Sequence, residues 1–586
     1  MSIFDVLSLL CGLALFLYGM DVMGDSLKKS AGTRLKAILA KMTSSPVRGF
    51  LLGLGVTAII QSSSATTVMV VGFVNSGVMT LTQAVGVIMG ANVGTAVTAW
   101  ITALSGIGGD AASNIEWLEW LKPDSWMPIL AVIGICLIMF AKRGKKKDIG
   151  CILIGFAVLM VGMSMMSASV SGLKNDEGFK SILTMFQNPV LGVLAGLILT
   201  AIVQSSSASV GILQSLTVTG AISYGAAIPI VMGQNIGTCV TALISSFGAG
   251  KNGKRTAMVH LYFNIIGVVL WLSIFYIVNA IVNFAFVDTA IDMWGVALVH
   301  TVFKILSVAL ISPFYKWLEK LAVITIRDKE AEEEKTNLLD ERLFGTPSVA
   351  VEVAGSVVNS MAEFSIDALK KSLVLFDKYD EKLADEVRVI ESKADQYEDA
   401  IGSYLVKLSS YDMPEADSNQ ITKLLHMIGD FERISDHAVN IVESAEEMKE
   451  KKIEFSSEAN RQISVMERAV ADIVDMTYQA FIKNDIELAE RVEPLEEVVD
   501  DIRDAIKLGH IKRLQKSECT IEHGFILSDI LNNFERISDH CSNIAGCIIE
   551  ISKYDSLSMH KYIDDVKHHN DKFTERVAEY KKIYSL

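Results

Sequence analysis

The pattern of apolar and polar positions divides the chain into two parts near residue 320. Up to about Leu318, apolar segments of membrane-spanning length follow one another, and beyond it charged residues become dense. In this second part apolar residues recur at helical spacing, as at Val353, Val357 and Met361. The pattern predicts an all-α protein that joins a polytopic membrane domain to a soluble helical domain.

Two polar islands interrupt the apolar part. One reads QSSSATT from Gln61 to Thr67 and the other reads QSSSASV from Gln204 to Val210, each directly after a long apolar run. Polar or irregular backbone at membrane depth is tolerated where it faces protein or a wet cavity. Matching interruptions in two halves of a chain indicate the substrate site of a transporter.

The two islands belong to an internal duplication. When Gln61 is aligned with Gln204, the two halves agree in register over most of their length, which is typical of duplicated sequence. Examples of the matched positions are Pro46 with Pro189, Gly53 with Gly196, and Met89–Thr95 with Met232–Thr238.

Basic loops predict opposite orientations for the two repeats. Lysines and arginines lie between residues 28 and 48, between 142 and 147, and between 251 and 255, and such loops stay in the cytoplasm. The first repeat then starts outside and the second inside, an inverted arrangement that requires a re-entrant hairpin in each island stretch. We expect a multi-pass protein of the plasma (inner) membrane, with the N-terminus outside and the C-terminal domain in the cytoplasm.

These features set the predicted boundaries. The membrane domain covers residues 1–320, with repeats at about 3–141 and 149–282 and a final span at about 294–318. A linker helix is expected at 321–346, and the soluble domain at 347–586.

Composition excludes several classes of function. The net charge of −15 argues against nucleic acid as a partner. The seven cysteines form no CxxC pair and indicate no disulfide framework. Since the sequence has no P-loop, nucleophile elbow or membrane-embedded catalytic pair, we do not expect an enzyme.

The islands carry chemistry suited to ions. Hydroxyl groups donate and accept hydrogen bonds, and the glycines at 90, 94, 233 and 237 permit helix breaks. A broken helix offers free N–H groups to an anion and free carbonyl groups to a small cation such as sodium. Neither island stretch holds a lysine or arginine near its serines, so co-bound cations are the simplest counter-charge. The alternative is that these small residues only pack helices together.

The doubled Gln-Ser-Ser-Ser motif in inverted repeats resembles the type II family of sodium–phosphate cotransporters, over about residues 1–320. The resemblance implies that phosphate binds between the islands, with co-transported sodium ions beside it. The expected phosphate ligands are Ser62, Ser63, Ser64, Ser205, Ser206 and Ser207. The candidate sodium contacts are Gln61, Thr66, Asn92, Thr95, Gln204, Ser209, Asn235 and Thr238.

A second motif carries the same resemblance. The segments His260–Asn264 and His300–Lys304 are similar to the family's paired His-x-x-Phe-Asn elements, except that Lys304 stands where asparagine is expected. An intramembrane lysine is energetically costly and is a candidate for a functional role. We expect Asn264 and Lys304 to modulate transport, with the Lys304 ammonium replacing one coupling cation. The alternative is that Lys304 extends to the membrane interface or caps a carbonyl.

The soluble part is also duplicated. Asp430–His437 returns as Asn533–His540, and each copy follows a pair of carboxylates four residues apart. The repeats resemble PhoU, a phosphate-signalling protein of two three-helix bundles, over about residues 347–560. The resemblance implies bound divalent or iron ions, which hard carboxylate oxygens suit. The alternative is an acidic surface balanced by Arg433 and Arg536. The candidate metal ligands are Glu391, Asp395, Glu432, Asp436, Glu496, Asp500, Glu535 and Asp539.

These observations predict a secondary transporter of inorganic phosphate, coupled to sodium and regulated by a metal-binding PhoU-like domain. Its expected partners are phosphate, sodium and the lipid bilayer, with a second copy of the chain or cytoplasmic regulators at the soluble domain. Two alternatives stay open: a phosphate sensor with little net transport, and a phosphate exporter. Two complete inverted repeats favour transport over sensing, because a sensor does not need alternating access.

Overall fold

The computed structural model describes residues 3–40, 46–106, 123–141, 145–327, 339–553 and 571–586. Helices account for nearly all regular structure in these ranges, and the described residues contain no strand beyond one isolated bridge. The chain forms two compact units, Met1–Val349 and Ala350–Leu586. The predicted all-α architecture is therefore confirmed.

The first unit contains fifteen α-helices within the described residues. They are α1 (Ile3–Ala40), α2 (Pro46–Ile60), α3 (Ser63–Asn75), α4 (Leu81–Gly94), α5 (Ala96–Ala103), α6 (Pro123–Phe140), α7 (Lys145–Ser171), α8 (Glu177–Met185), α9 (Pro189–Val203), α10 (Ser206–Thr217), α11 (Tyr224–Gly237), α12 (Cys239–Ser246), α13 (Lys251–Val282), α14 (Met293–Ile311) and α15 (Tyr315–Thr325).

The helix boundaries reproduce the sequence duplication. In the register that aligns Gln61 with Gln204, helices α2, α4 and α5 start and end at the same positions as α9, α11 and α12, respectively. Helices α3 and α10 start at equivalent serines, and the long helices α1 and α7 precede the two hairpins in the same order. The two repeats therefore share one local fold.

Each island forms the turn of a helical hairpin. Helix α2 has 15 residues and α3 has 13, so neither alone reaches the length of about 20 residues that spans a bilayer. Helix α3 folds back on α2, and the Thr57 hydroxyl donates a hydrogen bond to the Thr66 hydroxyl at 3.0 Å across the turn. In the second hairpin the Thr200 hydroxyl donates to Ser209 at 2.8 Å. These short hairpins are the re-entrant elements that the sequence predicted.

Glycines bring the hairpins close to the following helices. A Cβ atom added at Gly53 in α2 would lie 1.9 Å from the Val87 carbonyl oxygen of α4, and one at Gly196 in α9 would lie 2.0 Å from the Ile230 carbonyl oxygen of α11. No side chain fits at such distances, since only glycine lets two backbones approach in this way.

Helices α1 and α7 also pack backbone to backbone. A Cβ atom at Gly19 would lie 2.3 Å from the Leu159 amide nitrogen, and one at Gly155 would lie 2.6 Å from the Met23 amide nitrogen. The first helices of the two repeats therefore form one tightly packed pair.

Seven helical segments of the described residues are long and apolar enough to cross a membrane. Six belong to the first unit, and they confirm that the protein is a multi-span membrane protein. The seventh, Pro347–Phe376, packs among the helices that follow it, where the Phe364 and Tyr397 rings lie 5.5 Å apart. Residues 142–144, which contribute to one predicted basic loop, lie outside the described residues.

The predicted linker helix at 321–346 differs from the structure. Helix α15 ends at Thr325, residues 328–338 lie outside the described ranges, and a 3-10 turn covers Glu341–Gly345. We call Asp340–Gly345 the strap, because it is bound to the ends of two helices of the first unit, α3 and α12. Asn75 of α3 donates to the Asp340 carboxylate at 2.9 Å, and the Arg342 guanidinium donates to the Ser245 carbonyl oxygen at 2.6 Å.

Apolar contacts complete the docking of the strap. Leu343 is fully buried and lies against Gly72 of α3, where a Cβ atom would come within 2.9 Å of its side chain. Asn75 also accepts a hydrogen bond from the Gly250 amide at 2.7 Å, at the start of α13. The sequence prediction missed this docking because the charged residues around the strap indicated only a solvated helix.

The second unit consists of two helical bundles. Its helices are α16 (Pro347–Asp377, which starts three residues before the boundary of the units), α17 (Glu381–Ser409), α18 (Glu415–Lys451), α19 (Ser457–Lys483), α20 (Ile486–Ala489), α21 (Val492–Gln515), α22 (Ile521–Lys553) and α23 (Asp571–Ile583). Helices α16–α18 form one bundle, and α19, α21 and α22 form the other. The bundles meet along α18 and α22, where His437 contacts Asn533 at 2.8 Å and His540 contacts Asp430 at 2.9 Å.

Candidate functional site

The turns of both hairpins open into one cavity of about 450 Å³. All six serines predicted to bind phosphate line it, together with both motif glutamines and one face of α1. The residues that line the cavity are Leu17, Tyr18, Met20, Asp21, Gly24, Asp25, Lys28, Ile60, Gln61–Ser64 and Gln204–Ser207. The structure therefore brings together two islands that lie far apart in the sequence.

Two helix N-termini meet at this cavity. Ser62 caps α3 by accepting a hydrogen bond from the Ala65 amide, and Ser205 caps α10 by accepting one from the Ala208 amide, each at 3.2 Å. The first amide groups of a helix have no partner inside the helix, and the helix dipole is positive at that end. Two such ends, surrounded by six hydroxyl groups, form an environment suited to an oxyanion.

The two motif glutamines share an unusual backbone conformation. Gln61 has φ 59° and Gln204 has φ 56°, in the left-handed region that is unfavourable for residues other than glycine. This conformation turns the chain between the helices of each hairpin. Backbone strain at matching positions of two repeats is typical of functional sites.

The two glutamine side chains have different surroundings. Gln61 is buried, accepts a hydrogen bond from the Thr98 hydroxyl at 2.8 Å and donates to the Ala58 carbonyl oxygen. Gln204 is exposed, and among the described residues its side chain has no hydrogen-bond partner. Gln204 is therefore available to an ion in the cavity, whereas Gln61 is engaged with the protein.

Charged residues on α1 are the part of the site that the sequence reasoning missed. Asp21, Asp25 and Lys28 lie on the face of α1 that lines the cavity, and Lys28 pairs with Asp25 at 2.8 Å. The prediction found no basic residue beside the serines in sequence, but the fold brings Lys28 to them. The spacing of 21, 25 and 28, which places charges on one face of an apolar helix, was the available signal.

The other candidate sodium contacts do not line the cavity. They are Thr66, Asn92, Thr95, Ser209, Asn235 and Thr238. Asn92 and Asn235, which are equivalent in the two repeats, both donate to the Asn264 side-chain oxygen, at 2.7 and 2.6 Å. This buried asparagine triad joins the two repeats to α13. The side-chain oxygen of Asn235, and that of its neighbour in sequence Gln234, are buried and have no hydrogen-bond partner among the described residues.

Lys304 lies in the core of the first unit and does not line the cavity. It is 2% exposed, and His260 and His300 are its neighbours. Burial of this extent excludes extension of Lys304 to the surface of the described fold. The structure therefore does not bring Lys304 into contact with the serine islands.

Comparison with known proteins places these features in a family. Residues 15–168 and 158–295 match the sequence model of the Na+/Pi-cotransporter family, and residues 358–445 and 463–548 match the PhoU domain. The protein YqeW of Bacillus subtilis, which is described as uncharacterized, is 32% identical over 260 residues, 44% of this chain and 78% of its own length. The chain belongs to the Na+/Pi-cotransporter family.

Other relatives match more of the chain or carry more informative names. YjbB of Salmonella typhimurium, described as a putative inorganic phosphate export protein, is 24% identical over 93% of this chain and 97% of its own length. The mouse sodium-dependent phosphate transport protein 2A is 23% identical over 45% of this chain and 60% of its own length. Both relatives are transporters by name, not enzymes.

A solved structure also matches the PhoU domain. The structure of PhoU from Streptococcus pneumoniae is 17% identical, and the match covers 35% of this chain and 97% of PhoU, with a TM-score of 0.32.

In the PhoU domain, the predicted metal ligands form two sets, one in each bundle. The first set, Glu391, Asp395, Glu432 and Asp436, comes together. Asp436 lies within hydrogen-bonding distance of both Glu391 and Glu432, and Asp395 is a charged neighbour of Glu391. Burial and the Asp436 carboxylate raise the pKa of Glu432 to about 7. Among the described residues, no group of three or more His, Cys, Asp or Glu is arranged to hold a metal ion. Metal binding therefore stays a prediction.

The second carboxylate set contains its own cation. The Arg503 guanidinium lies 3.1 Å from Asp500 and 2.8 Å from Glu535, and Asp539 is a further charged neighbour of these carboxylates. In the first set the equivalent position holds Glu398, which adds a negative charge near Glu432. The second set is therefore partly neutralised by Arg503, whereas the first set carries a further carboxylate at that position.

Proposed function

We propose that this chain is a secondary active transporter that moves inorganic phosphate across the membrane together with sodium. The observation that carries the proposal is the convergence of two Gln-Ser-Ser-Ser helix N-termini on one cavity. Family membership supports phosphate as the substrate, and the geometry of the cavity suits an oxyanion. The six serines are its ligands in this proposal.

Sodium coupling has two supports. The one lysine that lines the cavity is already paired with Asp25, so the described lining offers a bound phosphate no uncompensated cationic side chain. An anion in such a site requires counter-charge from mobile cations. A relative over 45% of the chain is named as sodium-dependent. Exposed Gln204 is the sodium contact that we favour among the predicted candidates, because its side chain faces the cavity without a partner.

Phosphate export is the second candidate function. It is favoured by YjbB of Salmonella typhimurium, which matches nearly the full length and is named for export. The repeat architecture serves either direction, because alternating access exposes the cavity to each side in turn. A phosphate sensor with little transport is the third reading, and a measured flux would exclude it.

We also propose that the PhoU domain is cytoplasmic and regulates transport through the strap. The basic residues between 28 and 48 and between 251 and 255 support the orientation, because positive loops stay inside. The strap supports this route for two reasons. It directly precedes α16, and it is bound to the C-terminal end of α3, whose N-terminal end at Ser62 lines the cavity. A metal ion held by Glu391, Asp395, Glu432 and Asp436 is part of this proposal, with Glu398 beside them.

The test is uptake and efflux of radiolabelled phosphate in proteoliposomes. An inward sodium gradient should drive accumulation, and replacing sodium with choline should abolish it. Ser63→Ala and Ser206→Ala should each weaken phosphate binding, by roughly 1.5–3 kcal/mol per lost hydrogen bond to a charged ligand. Accumulation that survives both choline replacement and collapse of the pH gradient would rule out cation coupling.

Wild-type affinity in both serine variants would place the phosphate site elsewhere. Phosphate-loaded vesicles test export. Efflux of phosphate against its own concentration gradient, driven by an outward cation gradient, would show that the protein is able to export phosphate. Binding without flux in either direction would support the sensor.

A further inference from the structure

The cavity has a charge imbalance that comes from a single helix. All three charged residues that line it lie on α1, and Lys28 and Asp25 neutralise each other at 2.8 Å. Asp21 is exposed and has no ion-pair or hydrogen-bond partner among the described residues. The described lining therefore carries one uncompensated negative charge, next to a site built for an anion.

The position of Asp21 is fixed by close packing on both sides. Gly24, three residues further along α1, lies against the first hairpin, where a Cβ atom would be 3.4 Å from the Ile60 carbonyl oxygen. Gly19, two residues before Asp21, is in backbone contact with Leu159 of α7. Asp21 lies about one helical turn from the hairpin contact, since a turn of helix rises about 5.4 Å. Asp21 therefore lies on a stretch of α1 that is packed against both the first hairpin and α7.

The second repeat has no such charge. In the register of the duplication, the residues equivalent to Asp21, Asp25 and Lys28 are Ser164, Ala168 and Ser171. The serine islands are symmetric, but the charged face is present once. A role for Asp21 is thus independent of the duplicated motif and of the cation candidates that the motif suggested.

A lone carboxylate beside an anion site weakens anion binding by charge repulsion. A cation bound between the carboxylate and the anion removes the repulsion and attracts both, so the anion binds well only when the cation is present. Carboxylate and hydroxyl oxygens are suitable ligands for a small hard cation. The hydroxyl groups of Ser62, Ser63 and Ser64 line the same cavity as Asp21.

We propose that Asp21 is the residue that makes phosphate binding conditional on a monovalent cation, by holding sodium between its carboxylate and the first serine island. The proposal rests on the proposed function and names the group responsible for its coupling. Two linked ligands change each other's affinity by the same factor. Asp21 should therefore set the size of that factor.

The experiment is equilibrium binding of radiolabelled inorganic phosphate to the purified full-length protein, with sodium replaced by choline at constant ionic strength. In the wild type, saturating sodium should tighten phosphate binding by about tenfold or more, within the usual range of coupling between sites. In Asp21→Asn the sodium effect should fall below about threefold, and phosphate should bind more tightly than to the wild type without sodium. Asp21→Ser, which installs the residue found at the equivalent position of α7, provides a second variant.

Asp288→Asn is the control. It removes one negative charge from an exposed carboxylate of the first unit that does not line the cavity. This variant should keep the full sodium effect. Sodium titration by calorimetry, with and without phosphate, measures the effect of phosphate on sodium affinity. It should give the same coupling factor as the phosphate-binding experiment.

Three results have distinct meanings. Full sodium dependence in Asp21→Asn and Asp21→Ser would overturn the role of Asp21, and so would equal losses in the Asp21 and Asp288 variants, which would indicate a general effect of charge. Phosphate binding by the wild type without any sodium effect would overturn the coupling while leaving the phosphate site intact. Absence of phosphate binding to the wild type at any sodium concentration would instead refute the proposed function.

Discussion

Gln61 and Gln204 occupy equivalent positions and share a strained backbone, yet only one of them is free to act on a ligand. Gln61 is held by Thr98 and the Ala58 carbonyl oxygen, whereas Gln204 is exposed in the cavity. Duplicated sequence thus does not imply duplicated roles. The difference decides which glutamine a mutation should test.

Gln204→Gly should separate stability from binding. Glycine relieves the left-handed strain, which costs roughly 1–2 kcal/mol for other residues, so thermal stability in detergent should rise or stay level. Sodium-dependent phosphate binding should weaken, because the side chain is lost from the cavity. Gln61→Gly is the control and should not gain stability, since it also loses the contact with Thr98. Unchanged binding in Gln204→Gly would remove Gln204 from the site.

The two PhoU-domain bundles carry Glu398 and Arg503 at equivalent positions, and this difference leads to a second test at the residue scale. Elemental analysis of the full-length protein, purified without chelators, should find divalent or iron ions, and Glu432→Gln should lower that content. Glu535→Gln should leave it unchanged, because Arg503 already neutralises that set. Equal losses in both variants would show that both bundles hold metal, and a metal-free wild type would support a purely acidic surface.

At the scale of elements, the hairpins depend on close backbone contact with the helices that follow. Gly53→Ala should destabilise the first hairpin and abolish transport, because its Cβ atom would lie 1.9 Å from the Val87 carbonyl oxygen. Gly55→Ala is the matched control in the same helix, since a Cβ atom there meets nothing within 4 Å. Alanine at that position should stabilise the helix by up to ~1 kcal/mol. Thermal unfolding and phosphate uptake report both effects, and a harmless Gly53→Ala would disprove the tight contact.

Much of the element scale was predictable from sequence, because the repeats are in register. The helix break at each Gln-Ser-Ser-Ser motif and the short hairpins both follow from polar residues inside apolar runs. What the sequence did not predict depends on which faces meet. Asp21 lies within a predicted span, and its spacing with Asp25 and Lys28 indicates a charged face, but nothing local indicates that this face meets the serine islands. Asn92 and Asn235 resemble ion ligands in sequence, yet the fold pairs them with Asn264.

At the scale of the whole molecule, the strap is the described segment that connects the transporter unit to the start of the PhoU domain. Arg342→Ala should free the end of α12, since its guanidinium bonds the Ser245 carbonyl oxygen. We expect the phosphate transport rate to change, with unaltered equilibrium affinity for phosphate, because the cavity residues are untouched. The measurement is initial uptake in proteoliposomes beside equilibrium binding. Gly345→Ala is the control, because a Cβ atom there meets nothing within 4 Å. Equal rates in both variants would argue against regulation through the strap.

The backbone contact of α1 with α7 has an electrical consequence. Helices packed through Gly19 and Gly155 cannot slide past each other, so α1 and α7 move as one body. Asp21 therefore changes its depth in the membrane only when both helices move together. Each elementary charge that crosses the membrane voltage costs or releases about 2.3 kcal/mol per 100 mV. When the pair stays in place, we expect the number of cations that accompany each phosphate to set the voltage dependence of transport.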